Sequence, residues 1–286
     1  MLRQQWQQKT LTDADGGKSA HSEPGVAWLS DLGVLVFQGN DAAAFLQGYL
    51  TCDTDKISSA PGAWAMCDLR GRVVANGYVC GSATQVSLLL HVSLCSTVIE
   101  FLRRYMVFSK TTVTDHTQTH LVFGRVDCAS DKKFWPIDQR RDLALACDET
   151  DAQALAAANP LIDEASFWQS RIKDQLPLLS SPVSGQFLPQ MLNLQHAVDF
   201  NKGCYLGQEI VARAQHRGQV KRQVKTMLAT GTSPLIGQTL TDAAGQKHGT
   251  VVNLQAVGAD KTMLLVVAAD DGATSFNTPD ATYSIL

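Results

Sequence analysis

Lys202-Gly203-Cys204-Tyr205-Leu206-Gly207-Gln208-Glu209 is the stretch of this 286-residue chain whose reading decides its fold. Two glycines bracket a cysteine and a tyrosine, and residues 208–216 then have the composition of a short helix. A thiol near a helix N-terminus and an ammonium has its thiolate favoured by both charges. Gly203 and Gly207 would let backbone amides come close to a ligand. Cys204 is therefore a candidate reactive or redox-sensitive thiol. Local spacing leaves a second reading open, a structural cysteine buried in a tight turn, because free cysteine is among the most buried residue types. Glu209 stands where a helix N-terminus favours a carboxylate, and dipole complementarity alone accounts for it.

Outward from this stretch the composition changes on both sides. Residues 177–203 are rich in Pro, Ser, Gly, Asn and Gln, and read as a long ordered loop or a domain seam. Beyond residue 224, short strands punctuated by Gly231, Gly237, Gly245, Gly249 and Gly258 suggest a small antiparallel barrel. Upstream, Val34-Leu35-Val36-Phe37 reads as a buried strand ended by Gly39-Asn40, with Asn40 or Asp41 placed to cap a helix carrying Phe45, Leu46, Tyr49 and Leu50 on one face. Residues 62–79 read as a hairpin turning at Asp68-Leu69-Arg70-Gly71, where Gly71 would adopt a left-handed conformation at least cost. Residues 86–91 are a further strand. Leu94, Val98, Phe101, Leu102 and Tyr105 form a helical stripe. Strand character returns at 110–113 and 121–126. Helices are expected at 151–158, stopped by Asn159-Pro160, and at about 163–174 with Phe167, Trp168 and Ile172 inward.

Composition excludes several classes. Apolar residues make up 45% and charged residues 18%, with a net charge of -3, so the chain is neither disordered nor globally basic. Its seven cysteines form no CxxC pair and no Cys/His set with zinc spacing, so no metal site is expected and reduced thiols are the simpler reading. The longest apolar runs, such as Met263-Leu264-Leu265-Val266-Val267-Ala268-Ala269, fall far short of the ~20 residues a spanning helix needs. The first 24 residues are polar and lack the features of a signal or transit peptide. They read as a flexible tail, and the chain as cytoplasmic with no membrane partner. There is no Walker loop, nucleophile elbow, HExxH or dinucleotide fingerprint. Arg213, His216, Arg217, Lys221, Arg222 and Lys225 form a basic run, read either as a solvated face or as a patch for phosphate, an acidic folate tail or RNA.

The 202–209 stretch resembles the K-G-C-[FY]-x-G-Q-E signature of the YgfZ proteins, folate-binding relatives of the glycine-cleavage T-protein (the aminomethyltransferase) also described as tRNA-modifying. Other segments carry the same resemblance. They are Phe37-Gln38-Gly39-Asn40-Asp41 with Phe45-Leu46-Gln47-Gly48, Asp68 with Arg70-Gly71-Arg72-Val73, Tyr105 with Phe108-Ser109-Lys110, and Ser184-Gly185-Gln186-Phe187-Leu188-Pro189-Gln190 with Asn193-Leu194. The match spans about residues 31–222. It implies an α+β, T-protein-like body with a small C-terminal antiparallel β-barrel. The expected division is a tail over 1–24, a folate-binding body over 25–222 with a seam near 177–203, and a barrel over 223–286.

The resemblance also implies a role: binding tetrahydrofolate or a derivative and supporting iron–sulfur cluster assembly or repair, and thereby the iron–sulfur enzymes that thiolate tRNA. Cys204 is the implied thiolate near folate, or a transient iron–sulfur contact, with Lys202 tuning it. Asp68, Arg72, Asn76, Tyr105, Phe167, Lys173, Gln190, Asn193, Gly203, Tyr205, Gln208, Glu209 and Arg213 are the implied folate-facing positions. Two departures stand out. Aminomethyltransferases place an aspartate pair where this chain has Ala75 and Asn76, and a neutral Asn cannot guide a proton as a carboxylate does. Where the family has a pterin-holding Glu, this chain has Lys173, which offers donors only. Aminomethyl-type transfer and direct tRNA binding through the 213–225 face are the competing readings.

Overall fold

The computed structural model describes residues 2–13, 24–58, 61–129, 131–157, 159–216, 220–269, 272 and 274–286. Ala158 and Arg217, named above, and residues 14–23 of the expected tail lie outside them. The chain divides into two units.

The first unit comprises Met1–Gln47, Asp53–Trp64 and Gly77–Phe167. It opens with α1 (Leu2–Asp13), β1 (Gly25–Trp28), β2 (Leu32–Gln38) and α2 (Ala42–Gln47). A hairpin follows, of β3 (Gly62–Cys67) and β4 (Val73–Gly81), whose residues 65–76 belong to the second unit, and then β5 (Gln85–His91), α3 (Cys95–Met106) and β6 (Thr112–Asp115). β7 (Leu121–Val126), β8 (Trp135–Pro136), β9 (Arg141–Ala146), α4 (Glu149–Ala156) and α5 (Glu164–Lys173) complete it, the last running on into the second unit. One sheet has the order β3-β4-β5-β2-β6 and another β1-β7-β9-β8. β2 and β5 are buried along most of their length, as their unbroken apolar runs require of strands covered on both faces.

The sequence missed one element here. Residues 2–13, read as part of a loose tail, are a helix. Its Trp6 is buried, edge-on to Phe123 with ring centroids 5.5 Å apart, in a cluster with Val26, Leu121 and Leu155. The helix has almost no apolar stripe, so periodicity could not reveal it; Trp6, with Leu2 beside it and the Arg3 guanidinium donating to the carbonyls of Ser30, Leu32 and Thr117, anchors it. Asp41 also differs from expectation. Its carboxylate accepts from Ser109 Oγ at 3.0 Å, Lys110 N at 3.2 Å and Thr111 Oγ1 at 3.0 Å, fastening the segment after α3.

The second unit comprises Gly48–Cys52, Ala65–Asn76 and Trp168–Leu286. Residues 177–203 are irregular except for three short 3-10 turns, as their composition implies. α6 (Gln208–His216) follows, then β10 (Arg222–Gly231), β11 (Thr239–Thr241), β12 (Lys247–Ala256), β13 (Lys261–Ala269), β14 (Ser275–Asn277) and β15 (Ala281–Ile285). These strands form one antiparallel sheet of order β11-β12-β13-β10-β15-β14, curled into a half-barrel. Register shifts at Leu240/Thr241 and at Val251/Asn253 mark bulges, which sharpen twist and help the sheet curl. Met227, Leu240, Val251, Leu264, Val266 and Tyr283 form one buried apolar cluster on it.

Candidate functional site

The signature turn is built from three pieces of the second unit. The β3–β4 turn comes first. Asp68 Oδ1 accepts from the amides of Arg70 and Arg72, both at 2.9 Å, and the Asp68 amide donates to Arg72 O at 2.8 Å. The Gly71 amide closes the turn on Asp68 O at 2.9 Å, with Gly71 at φ +70°. Asp68 is thus the internal scaffold of the turn, and the Arg72 guanidinium donates to Gln186 O.

Gly207 packs directly on that turn. Its φ is +82°, and a Cβ there would lie 2.4 Å from Asp68 O and 3.2 Å from Gly71 Cα. From the other side, a Cβ on Gly71 would meet Ile210 of α6 at 3.0 Å. The two glycines of the two motifs exist for one close approach.

The third piece, residues 48–52, was not singled out from sequence as a partner of the signature. Lys202 Nζ donates to Leu50 O at 2.7 Å and Cys52 O at 2.8 Å, and the Leu206 amide donates to Gly48 O at 3.0 Å. Thr51 ties the segment further: its hydroxyl donates to Ala197 O at 2.5 Å and accepts from the Ala65 amide at 2.9 Å. The Lys202 ammonium also lies 5.4 Å from the Tyr205 ring centre. Lys202, read from sequence as tuning a thiolate, is a strap across backbone carbonyls.

Between these anchors Gly203 and Cys204 are exposed. Tyr205 is buried, and burial, with the neighbouring Cys67, pushes its hydroxyl well above the usual tyrosine range. Burial also pushes the Cys67 thiol up to about 12, with Asp68 adding to the effect. Gln208 begins α6. Glu209 and Arg213 pair with each other across one turn of α6, both well exposed, an arrangement worth only about 0.3–0.5 kcal/mol.

A second construction lies beside Asn76. This buried side chain donates from Nδ2 to Pro177 O at 2.9 Å and accepts from the Leu179 amide at 2.8 Å. Asn253 makes the same pair of bonds to the intervening residue, accepting from Leu178 N at 3.2 Å and donating to Leu178 O at 2.8 Å. The extended Pro177–Leu178–Leu179 backbone is paired by two carboxamides, each standing in for a peptide group. Here Asn76 is a clamp, and an Asp in its place would lack the donor for Pro177 O.

The remaining implied positions are dispersed. Gln190 is buried, its Nε2 donating to Val211 O at 2.9 Å while its Oε1 has no hydrogen-bond partner among the described residues. Asn193 is exposed at φ +55° and donates to Gln175 O at 3.3 Å. Lys173 is exposed at the end of α5. Tyr105 and Phe167 belong to the first unit. There the Arg104 guanidinium lies 4.8 Å from the Tyr105 ring centre, and Phe167 is only 1% exposed, its ring resting on Gly124. Among the described residues no group of three or more His, Cys, Asp or Glu side chains is placed to hold a metal, and no helix is long and apolar enough to cross a membrane.

The fold is that of the T-protein aminomethyltransferases: the glycine-cleavage aminomethyltransferase T of Bartonella henselae superposes with a TM-score of 0.68 at 13% identity, over 93% of this chain and 86% of that one. No protein-family model matches the chain. A "tRNA-modifying protein YgfZ" of Aliivibrio fischeri is 27% identical over 273 residues, covering 86% of this chain and 85% of its own. Another protein of that name, from Yersinia enterocolitica, is 27% identical over 250 residues, covering 76% of this chain and 75% of its own. An uncharacterized protein of Haemophilus influenzae is 31% identical over 259 residues, covering 86% of this chain and 89% of its own. The chain belongs to the YgfZ family.

Proposed function

We propose that this chain is a folate-binding accessory protein that supports iron–sulfur cluster assembly or repair and, through iron–sulfur enzymes, tRNA modification. The observation that carries the reading is the bracing of the signature turn. Gly207 seated on the Asp68–Gly71 turn and Lys202 strapped to residues 48–52 hold Cys204 out to solvent on a fixed loop. Such rigidity suits a thiol that must meet an external group. A lone thiol cannot house a cluster, so Cys204 would act as a transient ligand, the cluster being cargo whose remaining ligands come from a client protein.

For folate, the fit is partial. Gln190 Oε1 is a buried acceptor without a partner among the described residues, suited to a pterin N–H. Lys173 offers donors only, and Asp68 is engaged within its own turn. The folate-facing roles of Arg72, Asn193, Gly203, Tyr205, Gln208, Glu209 and Arg213 are part of the same proposal, which leaves out Tyr105 and the buried Phe167. When bound, tetrahydrofolate would supply a one-carbon carrier or redox-active ring. The clamp role of Asn76 weighs against aminomethyl transfer, since nothing at that position can take a proton.

The test has two arms. Calorimetric titration of tetrahydrofolate into wild type and Lys173→Glu should show binding, tighter in the variant. Absence of binding in both would remove folate from the reading. In a strain lacking this protein, Cys204→Ala should fail to restore thiolated tRNA. Full rescue would remove Cys204.

A further inference from the structure

α3 ends in an exposed apolar and basic tip that the proposed function does not use. The helix buries Cys95, Val98 and Leu102 and turns Arg103 and Arg104 outward. The next two residues, Val107 and Phe108, are 72% and 97% exposed. Lys110 is exposed just beyond. A shallow open groove runs along this face, lined by Phe101, Glu100, Arg103, Arg104 and Val107 among others.

The tip is held in place. The Ser109 amide donates to Met106 O at 3.0 Å, and Asp41 accepts from three groups of residues 109–111. The Arg104 guanidinium is layered on aromatic rings, 5.4 Å from Phe101 and 4.8 Å from Tyr105. Arg103 pairs with Glu100 at 3.3 Å, but both are more than 70% exposed, and such a pair yields readily to a stronger anion.

We propose that this tip contacts an RNA loop, with phosphates on Arg103, Arg104 and Lys110 and one unstacked base against the Phe108 ring. An exposed aromatic, Phe108, beside guanidinium groups and an ammonium offers a base a stacking face and its phosphates cations, the pair of contacts single-stranded RNA uses. Two adjacent apolar side chains are too few to hold a membrane surface, which needs a broad apolar face. The choice of RNA as the polyanion rests on the reading of a protein engaged in tRNA modification, but the contact is separate from Cys204 and from folate.

Fluorescence anisotropy of the full chain with labelled tRNA and with a labelled single-stranded oligonucleotide, at low and moderate salt, tests it. Phe108→Ala should weaken binding by roughly 5- to 100-fold with an unchanged salt slope. A triple Arg103→Ala, Arg104→Ala, Lys110→Ala variant should lower the slope of log K against log salt by about 2. All four side chains are exposed, so circular dichroism should match wild type. Wild-type affinity in every variant overturns the proposal, as does loss of binding only on Lys221→Ala with Lys225→Ala. Binding to anionic vesicles but not RNA would overturn it in favour of a membrane, and dimerisation abolished by Phe108→Ala in favour of a second copy. None of these outcomes alters the folate titration or the Cys204 rescue, so the two readings fail separately.

Discussion

Gly207 lies so close to Asp68 that a Cβ on the glycine would fall 2.4 Å from the aspartate's carbonyl oxygen. The two residues are far apart in sequence, and each belongs to a motif that could be read without the other. Their contact converts two local patterns into one object.

Gly207→Ala is therefore expected to destabilise the protein by about 1–3 kcal/mol, combining the left-handed backbone with the clash. Urea unfolding followed by circular dichroism measures it. Gly203→Ala is the control, since a Cβ there meets nothing within 4 Å. Equal stability of the two variants would contradict the packing described.

Lys202→Met removes two charge-assisted bonds and leaves the carbonyls of Leu50 and Cys52 without that donor. A loss of about 1.5–3 kcal/mol is expected. A strap also predicts faster hydrogen exchange confined to residues 48–52 and 202–206. If Lys202 served only to tune Cys204, stability would hold while the alkylation rate of Cys204 changed.

Much of this was legible beforehand. The hairpin, the stripe on α3, the position of α6 and the Gly-punctuated strands follow from periodicity and turn chemistry. The conformation of Gly71 follows from its place in the turn. Three features were not legible. Trp6 anchors a helix with no stripe. The 48–52 partner of Lys202 is non-local, and a lysine carries no sequence sign of which carbonyls it will meet. The paired carboxamides of Asn76 and Asn253 come from different elements, so no spacing rule links them.

That pairing gives a third prediction. Asn76→Asp introduces a carboxylate and sets it against Pro177 O. It should destabilise the fold by about 1–3 kcal/mol, read from the urea midpoint, and confer no transfer of a methylene unit from folate. Turnover by this variant would show that one side chain separates the two activities.

The fourth concerns acid. Asp242 sits below its ordinary 3.8, first because of the His248 bond at 3.0 Å and then because of the Gln246 and Ala244 amides, with partial burial opposing. A depressed carboxylate stabilises the fold above its unfolded pKa and loses that contribution as pH falls through the folded one. Tm should therefore drop as pH falls through and below Asp242's ordinary 3.8, and drop less steeply in Asp242→Asn. Parallel curves for the two proteins would exclude Asp242 as a source of acid sensitivity.

Lys202 reaches back 152 residues to Leu50 and 150 to Cys52. At ordinary rates of synthesis those carbonyls leave the ribosome on the order of ten seconds before the ammonium that will hold them. Thr51 can pair with Ala65 of β3 early, but the carbonyls of Leu50 and Cys52 meet their ammonium only when the signature emerges. Cys204 is thus set in its loop by a late step of folding, and a nascent chain stalled before residue 202 carries every other motif of the family but no place to present the thiol.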